Sequence, residues 1–304
     1  MMELVVDGRH VLGEGIIWNE RTGRLLWTDI ESSELWSHDP ASGALERWPL
    51  PERLCSLALT EDDGRLLLAL ASGLAFFDLR TGELARICEV EAHLPATRLN
   101  DGRVDRQGRF VFGVFNQAEH PKHPIGGFYR LNRDLSLERL PLGDVAIANS
   151  VCFSPDGRTM YYCDSATREI RCCDYDAASG GVARLRVFAS ADAAPGDPDG
   201  STIDAEGCLW NARWGAGQVV RFAPDGRVDR VLALPALQPT CPAFGGPGLD
   251  VLYVSSATTG LAPELLKEAP GSGGVFAQAL GICGLPEHRF GCGDIDIESD
   301  IDNC

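Results

Sequence analysis

The chain has 304 residues, with 27 Lys and Arg against 44 Asp and Glu and a formal net charge of −17. An acidic balance of this size repels a phosphate backbone, which disfavours nucleic acid as a partner and favours a cation. Hydrophobic residues at 44% and charged residues at 23% describe a globular chain with material for a core, not a disordered polymer. No stretch approaches the roughly 18 consecutive apolar residues of a membrane helix.

The N-terminus, MMELVVDGRH, has neither the basic nor the apolar region of a secretory signal, so the expected compartment is the cytoplasm. The 11 cysteines agree with a reducing compartment. Their number is odd, no CxxC pair occurs, and Cys172 and Cys173 are adjacent, so they read as small buried hydrophobes. Residues 3–9 read as a strand. From Gly23 onward a phrase recurs, in which a polar turn ends in Gly and leads into an apolar strand. It appears as Gly23-Arg24-Leu25-Leu26-Trp27, Gly64-Arg65-Leu66-Leu67-Leu68, Gly108-Arg109-Phe110-Val111-Phe112 and Gly157-Arg158-Thr159-Met160-Tyr161. Gly207-Cys208-Leu209-Trp210 lacks the Arg, and Gly248-Leu249-Asp250-Val251 is looser. These glycines stand 41, 44, 49, 50 and 41 residues apart. Turn clusters such as Glu61-Asp62-Asp63 and Ser154-Pro155-Asp156 precede them and mark hairpins. A third strand follows, as in Glu34-Leu35-Trp36-Ser37-His38 and Gln218-Val219-Val220-Arg221-Phe222, then a second turn and a short fourth strand. Only residues 263–269 suggest a helix, of one or two turns.

Four strands in each unit of about 40–50 residues is the period of a propeller. The chain holds six such units, which predicts an all-β, six-bladed β-propeller of four-stranded antiparallel blades. Residues 3–9 would add a strand to the last blade and close the ring. Residues 1–290 are expected to form a single propeller domain. Residues 291–304, whose acids alternate from Asp294 to Asp302, are expected to form an acidic, disordered tail.

The repeat also sets a register. Eight residues before each turn glycine, or nine in the first unit, stand Glu14, Ser56, Asn100, Asn149, Asp199 and Thr240. All six are polar, and each opens the first strand of its blade. That strand lines the central channel of a propeller, so the six form a ring at one mouth. Glu14, Asn100, Asn149 and Asp199 are the strongest ligands in the ring. Hard oxygen donors of this kind suit Ca²⁺, Mg²⁺ or Mn²⁺ and tolerate Zn²⁺ or Fe²⁺. Taken singly each of these residues reads as a turn or loop residue; their common register is what points to one divalent ion. His10, His38, His93 and His288 read as exposed loop or strand residues. Trp27, Trp36, Trp48 and Trp210 read as blade core, whereas Trp214, in Arg213-Trp214-Gly215, is a candidate to face substrate.

These phrases resemble the gluconolactonase / senescence-marker protein (regucalcin-like) family over residues 10–280. The resemblance is carried by Leu12-Gly13-Glu14-Gly15, Arg98-Leu99-Asn100-Asp101-Gly102, the run from Asn149 to Gly157, Pro198-Asp199-Gly200-Ser201 and Phe244-Gly245-Gly246-Pro247. It implies a six-bladed propeller with one divalent metal on Glu14, Asn149 and Asp199, and substrate contacts from Arg98 and Asn100. Glu119, in a stretch that departs from the family pattern, is the candidate for a further sugar contact. The implied activity is hydrolysis of a sugar lactone, such as L-arabinono-, D-xylono- or D-gluconolactone, to the aldonic acid in carbohydrate catabolism. Asp199 is then the expected general base. Two other readings use the same scaffold: a metal-dependent phosphotriesterase or esterase, and a calcium-binding propeller without activity. The expected partner is a small sugar lactone, with neither nucleic acid nor membrane, for a monomer or small homo-oligomer.

Overall fold

The structure, a computed structural model, describes residues 2–118 and 121–291. Six four-stranded antiparallel sheets form, and their inner strands pack side by side into a ring, the six-bladed propeller predicted from the repeat. The inner strands are Gly13–Asn19, Leu54–Leu59, Thr97–Val104, Ala148–Phe153, Asp197–Ile203 and Pro239–Gly245, in blades 1 to 6. Each lies between two other blades, so both its faces meet protein. Leu54–Leu59 is accordingly buried throughout, whereas the outer strand Val228–Ala233 of blade 5 is mostly exposed. The turn glycines have a backbone reason: Gly23, Gly108, Gly157 and Gly207 take φ of 67°, 82°, 67° and 80°, a region that a Cβ disfavours.

Ring closure uses both chain ends. Glu3–Val6 pairs antiparallel with Val275–Ala279 and is the outermost strand of blade 6. The strand is shorter than the expected span of 3–9. Arg9 takes φ 49°, and Gly8 lies against the His10 ring, so the chain turns inward there. His10 is therefore buried rather than exposed. Its Nε2 accepts the indole N–H of Trp27 at 2.9 Å, and burial pulls its pKa down to about 4, so it sits as a neutral acceptor. His38 is buried as well. Trp27, Trp36 and Trp210 are blade core as expected, and Trp48 is half-buried on an outer strand. A short helix, Pro263–Glu268, stands where residues 263–269 suggested one. Among the described residues no helix is long and apolar enough to cross a membrane.

Residues 280–291 cross the end of the channel at which the inner strands finish. Gly284 N–H donates to the Leu249 carbonyl, Phe290 N–H to that of Leu59, Gly291 N–H to that of Gly108, and Ala205 N–H to that of Cys283. Glu287 on this strap pairs with Arg103 of an inner strand, and Phe290 is buried in the core. The opposite end, where the inner strands begin, carries the polar ring. Residues 292–304, and with them the acidic tail, lie outside the described residues.

Candidate active site

Each inner strand breaks its ladder once. Pairing with the second strand slips between Glu14 and Ile17, Leu54 and Ser56, Leu99 and Gly102, Asn149 and Cys152, Pro198 and Ser201, and Pro239 and Pro242. All six ring positions fall at these bulges, and a bulge re-aims the side chains it carries. In blade 4 the bulge holds Ser150 at φ 59°, where a non-glycine residue is rare, and in blade 1 Gly15 takes the same φ.

Four of the six ring residues enter one cavity of about 540 Å³, lined by Glu14, Asn100, Asn149 and Asp199 together with Arg98 and Trp214. That volume is within the usual range for a small-molecule site. Ser56 and Thr240 stay out of it. Ser56 Oγ donates to the Asn100 carbonyl at 2.7 Å, and Thr240 Oγ1 donates to the Gly13 carbonyl, so both hydroxyls brace the neighbouring blade's bulge. Glu119 lies outside the described residues.

A chain of hydrogen bonds runs across three blades behind the cavity. Arg98 Nη1 donates to Asn100 Oδ1 at 2.5 Å, and Asn100 Nδ2 donates to Asn149 Oδ1 at 2.9 Å. Asn149 Nδ2 donates to Ser165 Oγ at 2.9 Å, and Ser165 Oγ donates to the Pro198 carbonyl at 2.6 Å, next to Asp199. Every donor points away from the guanidinium, which orients both amides. Each amide oxygen accepts one bond in this chain and keeps a second lone pair.

Glu14, half-buried, and Asp199, buried, are neighbouring carboxylates at the cavity whose charges act on each other. Burial, and then the nearby charge of Asp101, push the Glu14 carboxyl up to about 8 against the opposing Gly15 N–H and Arg98. Asp199 is raised well above the ordinary carboxylate range by burial and by Glu14. Among the described residues neither carboxylate forms an ion pair with Lys or Arg. Two neighbouring like charges withdrawn from water favour a shared proton or a shared cation. No cluster of three or more His, Cys, Asp and Glu side chains suited to a metal occurs among the described residues. A cation here would thus take two carboxylates and complete its shell with amide oxygen, Asn149 Oδ1 first. Such an all-oxygen set fits a hard divalent ion.

Several residues of the site escape the repeat register. Asp101, the second bulge residue of blade 3, is buried and accepts the Val151 N–H at 2.8 Å, tying blade 3 to the bulge of blade 4. Asn211 Nδ2 donates to the Asp199 carbonyl at 2.8 Å and to Ser150 Oγ at 2.9 Å, holding the bulge beneath Asp199. Ser165 belongs to a single 3-10 turn after a second strand. Lys122 and Arg53 line the cavity wall, where Arg53 donates to Gln117. The signal for Asp101 was present in the Arg-x-Asn-Asp phrase; the others had none.

Comparison with known proteins finds relatives over nearly the whole chain. L-arabinolactonase of Azospirillum brasilense is 52% identical over 288 residues, covering 94% of each chain. The 6-deoxy-6-sulfogluconolactonase of Pseudomonas putida is 36% identical over 293 residues, covering 95% of this chain and 98% of that one. The solved structure of regucalcin, a calcium-binding protein from Agrobacterium tumefaciens strain C58, superposes with a TM-score of 0.90 at 33% identity, over 95% of this chain and 97% of that one. Residues 12–258 match the family described as the SMP-30/Gluconolactonase/LRE-like region. The repeat, the bulged hub and these matches agree, and the chain belongs to the SMP-30/gluconolactonase/LRE-like family.

Proposed function

We propose that this protein hydrolyses a sugar lactone to its aldonic acid with one divalent cation held by Glu14, Asn149 and Asp199, and that L-arabinono-lactone is its foremost substrate. The protein is an enzyme of the carboxylic-ester hydrolase class. The observation that carries the reading is the pair of carboxylates Glu14 and Asp199, without an ion-pair partner among the described residues, beside an oriented amide oxygen in a cavity of sugar-lactone size. The choice of L-arabinono-lactone is supported by the 52% identity to an L-arabinolactonase over nearly the whole chain.

When bound, the cation supplies Lewis acidity at the lactone carbonyl and acidity for a water at the site. The protein's own groups supply the rest. Asp199 takes a proton from the attacking water as the new C–O bond forms at the carbonyl carbon. It returns that proton to the ring oxygen as the ester C–O bond breaks, so the product is an open hydroxy acid and Asp199 is restored. Arg98 Nη1 is tied to the Leu99 carbonyl and to Asn100, and its side chain lines the cavity, where it meets substrate hydroxyls. Asn100 donates through Nδ2 to the Ala148 carbonyl and to Asn149, and offers its remaining Oδ1 lone pair to a hydroxyl proton.

Acid release followed by pH-stat over L-arabinono-, D-xylono- and D-gluconolactone, before and after chelation and after return of a single divalent ion, tests this. The expected result is hydrolysis that chelation removes and the ion restores. Turnover unaffected by thorough chelation contradicts the metal assignment. Hydrolysis of organophosphates alone, or cation binding with no turnover, contradicts the lactonase reading.

A further inference from the structure

We infer that Trp214 is the platform on which the C–H face of the sugar ring lies, and so the specificity-determining side chain of the cavity wall. This rests on the lactonase reading. The chain has six tryptophans. Trp18 stacks on Tyr253, Trp27 and Trp36 stack on each other, Trp210 meets Phe244 and donates its indole N–H to Asp204, and Trp48 packs on the core of blades 1 and 2. Trp214 differs. It lines the cavity, and among the described residues its indole N–H has no acceptor and its ring no aromatic or cationic partner. A tryptophan combines a large flat apolar area with a polar tip. Trp214 is half-buried, so its ring stands open at the cavity wall to something that enters.

The other aromatic ring of the cavity is already engaged. The Arg98 guanidinium lies 4.3 Å from the centroid of Phe115, and the Lys122 ammonium 4.5 Å from it. Lys122 is anchored there by donating to the carbonyls of Asn116 and Ala118 at 2.9 and 2.8 Å. That wall therefore presents cationic donors. A polyhydroxy ring carries hydroxyls at its rim and C–H groups on its face, and the only uncommitted apolar plane among the described lining residues belongs to Trp214.

The platform is preorganised. Trp214 ends the strand Leu209–Trp214, opposite Asp197 in register. Its neighbour Arg213 is buried and donates to the carbonyls of Ala194, Pro195 and Gly196 at 2.9, 3.0 and 2.7 Å, which ties the adjoining loop to the strand. Asn211 on the same strand braces the bulge of Asp199. One braced strand thus carries both the Trp214 backbone and the support of the carboxylate that receives the proton, so the ordering cost on binding is confined to the side chain. The ligand class this selects is a five- or six-membered polyhydroxy ring with an unbroken C–H face. A lactone substituted on that face is excluded.

The test pairs fluorescence with kinetics on Trp214→Phe and Trp214→Ala, with L-arabinonolactam as the non-hydrolysed ring. The lactam should shift or quench the emission of the wild type and leave that of Trp214→Phe unchanged. In Trp214→Ala the loss should fall on KM, which rises about tenfold, the equivalent of ~1.4 kcal/mol, with Trp214→Phe between the two. Wild-type KM in a folded Trp214→Ala variant, or a lactam response that persists in Trp214→Phe, overturns the assignment. Wild-type protein that hydrolyses no lactone overturns the underlying reading instead, so the two failures are distinguishable.

Discussion

The two ends of the central channel treat charge in opposite ways. At the strap end every buried cation has a partner. Arg103 pairs with Glu287, and Arg289 donates to Asp63, Asn19, Glu20 and the Thr60 carbonyl at 2.8–3.1 Å. At the cavity end Glu14 and Asp199 face each other with Asp101 nearby, and burial raises all three carboxyls. The same propeller ring supports both ends. The strap end joins blades 1 and 2 to residues 280–291 through the ion pairs of Arg289. The cavity end holds an electrostatic deficit, which a divalent cation would relieve. Residues at the first end should therefore matter to stability, and those at the second to chemistry.

Substitutions at the two ends should have opposite consequences. Asp199→Asn and Glu14→Gln should each lower lactone hydrolysis by about a thousandfold or more. Because each removes one of two repelling carboxylates, the metal-free variants should melt no lower than wild type at pH 8; a calorimetric scan decides. Arg289→Met should do the reverse. It should lower unfolding free energy by about 3 kcal/mol by leaving Asp63 and Glu20 without their cation, with kcat retained below the melting range.

Smaller effects sharpen the boundary between the two ends. Ser165→Ala removes the link between Asn149 and the Pro198 carbonyl, and should weaken divalent-ion binding by about tenfold while leaving the melting temperature of the metal-free protein nearly unchanged. The pH dependence follows from Glu14. Its folded carboxyl titrates near 8 against an ordinary 4.5, so between these values the folded state holds a proton that the unfolded chain has released. Stability of the metal-free protein should therefore fall as pH rises through that window, by up to about 1.4 kcal/mol per pH unit for each proton so held. A saturating divalent ion competes for the same oxygens and should flatten the slope. A slope of the same size with the ion present would contradict the shared site.

Much of this could be read from the sequence because the fold is periodic. A fixed offset from each turn glycine found the ring, since the offset spans one strand and the bulge recurs at the same place in all six blades. The register supplied one residue per blade, but a bulge turns two toward the hub, and so Asp101 was overlooked beside Asn100. Ser165 and Asn211 lie off the counted strand, and their role depends on contacts between blades that no local pattern encodes. No motif in the sequence marked Lys122, yet it lines the cavity. Its loop belongs to one of the longer repeat intervals, where the period says least. His10 was expected to be exposed because its acceptor role depends on Trp27, 17 residues away, on the neighbouring strand. Ser56 and Thr240 share the ring register but serve the backbone. A short hydroxyl at a bulge reaches the next blade's carbonyl more readily than the cavity.

The account stands on a cation at the hub. Isothermal titration of one divalent ion into chelator-stripped wild-type protein, and into the Glu14→Ala, Asn149→Ala and Asp199→Ala variants, tests it most directly. The account predicts a single site in the wild type, lost or greatly weakened in all three folded variants. Equal binding by all four proteins, or none by the wild type at any pH where it is folded, would contradict it.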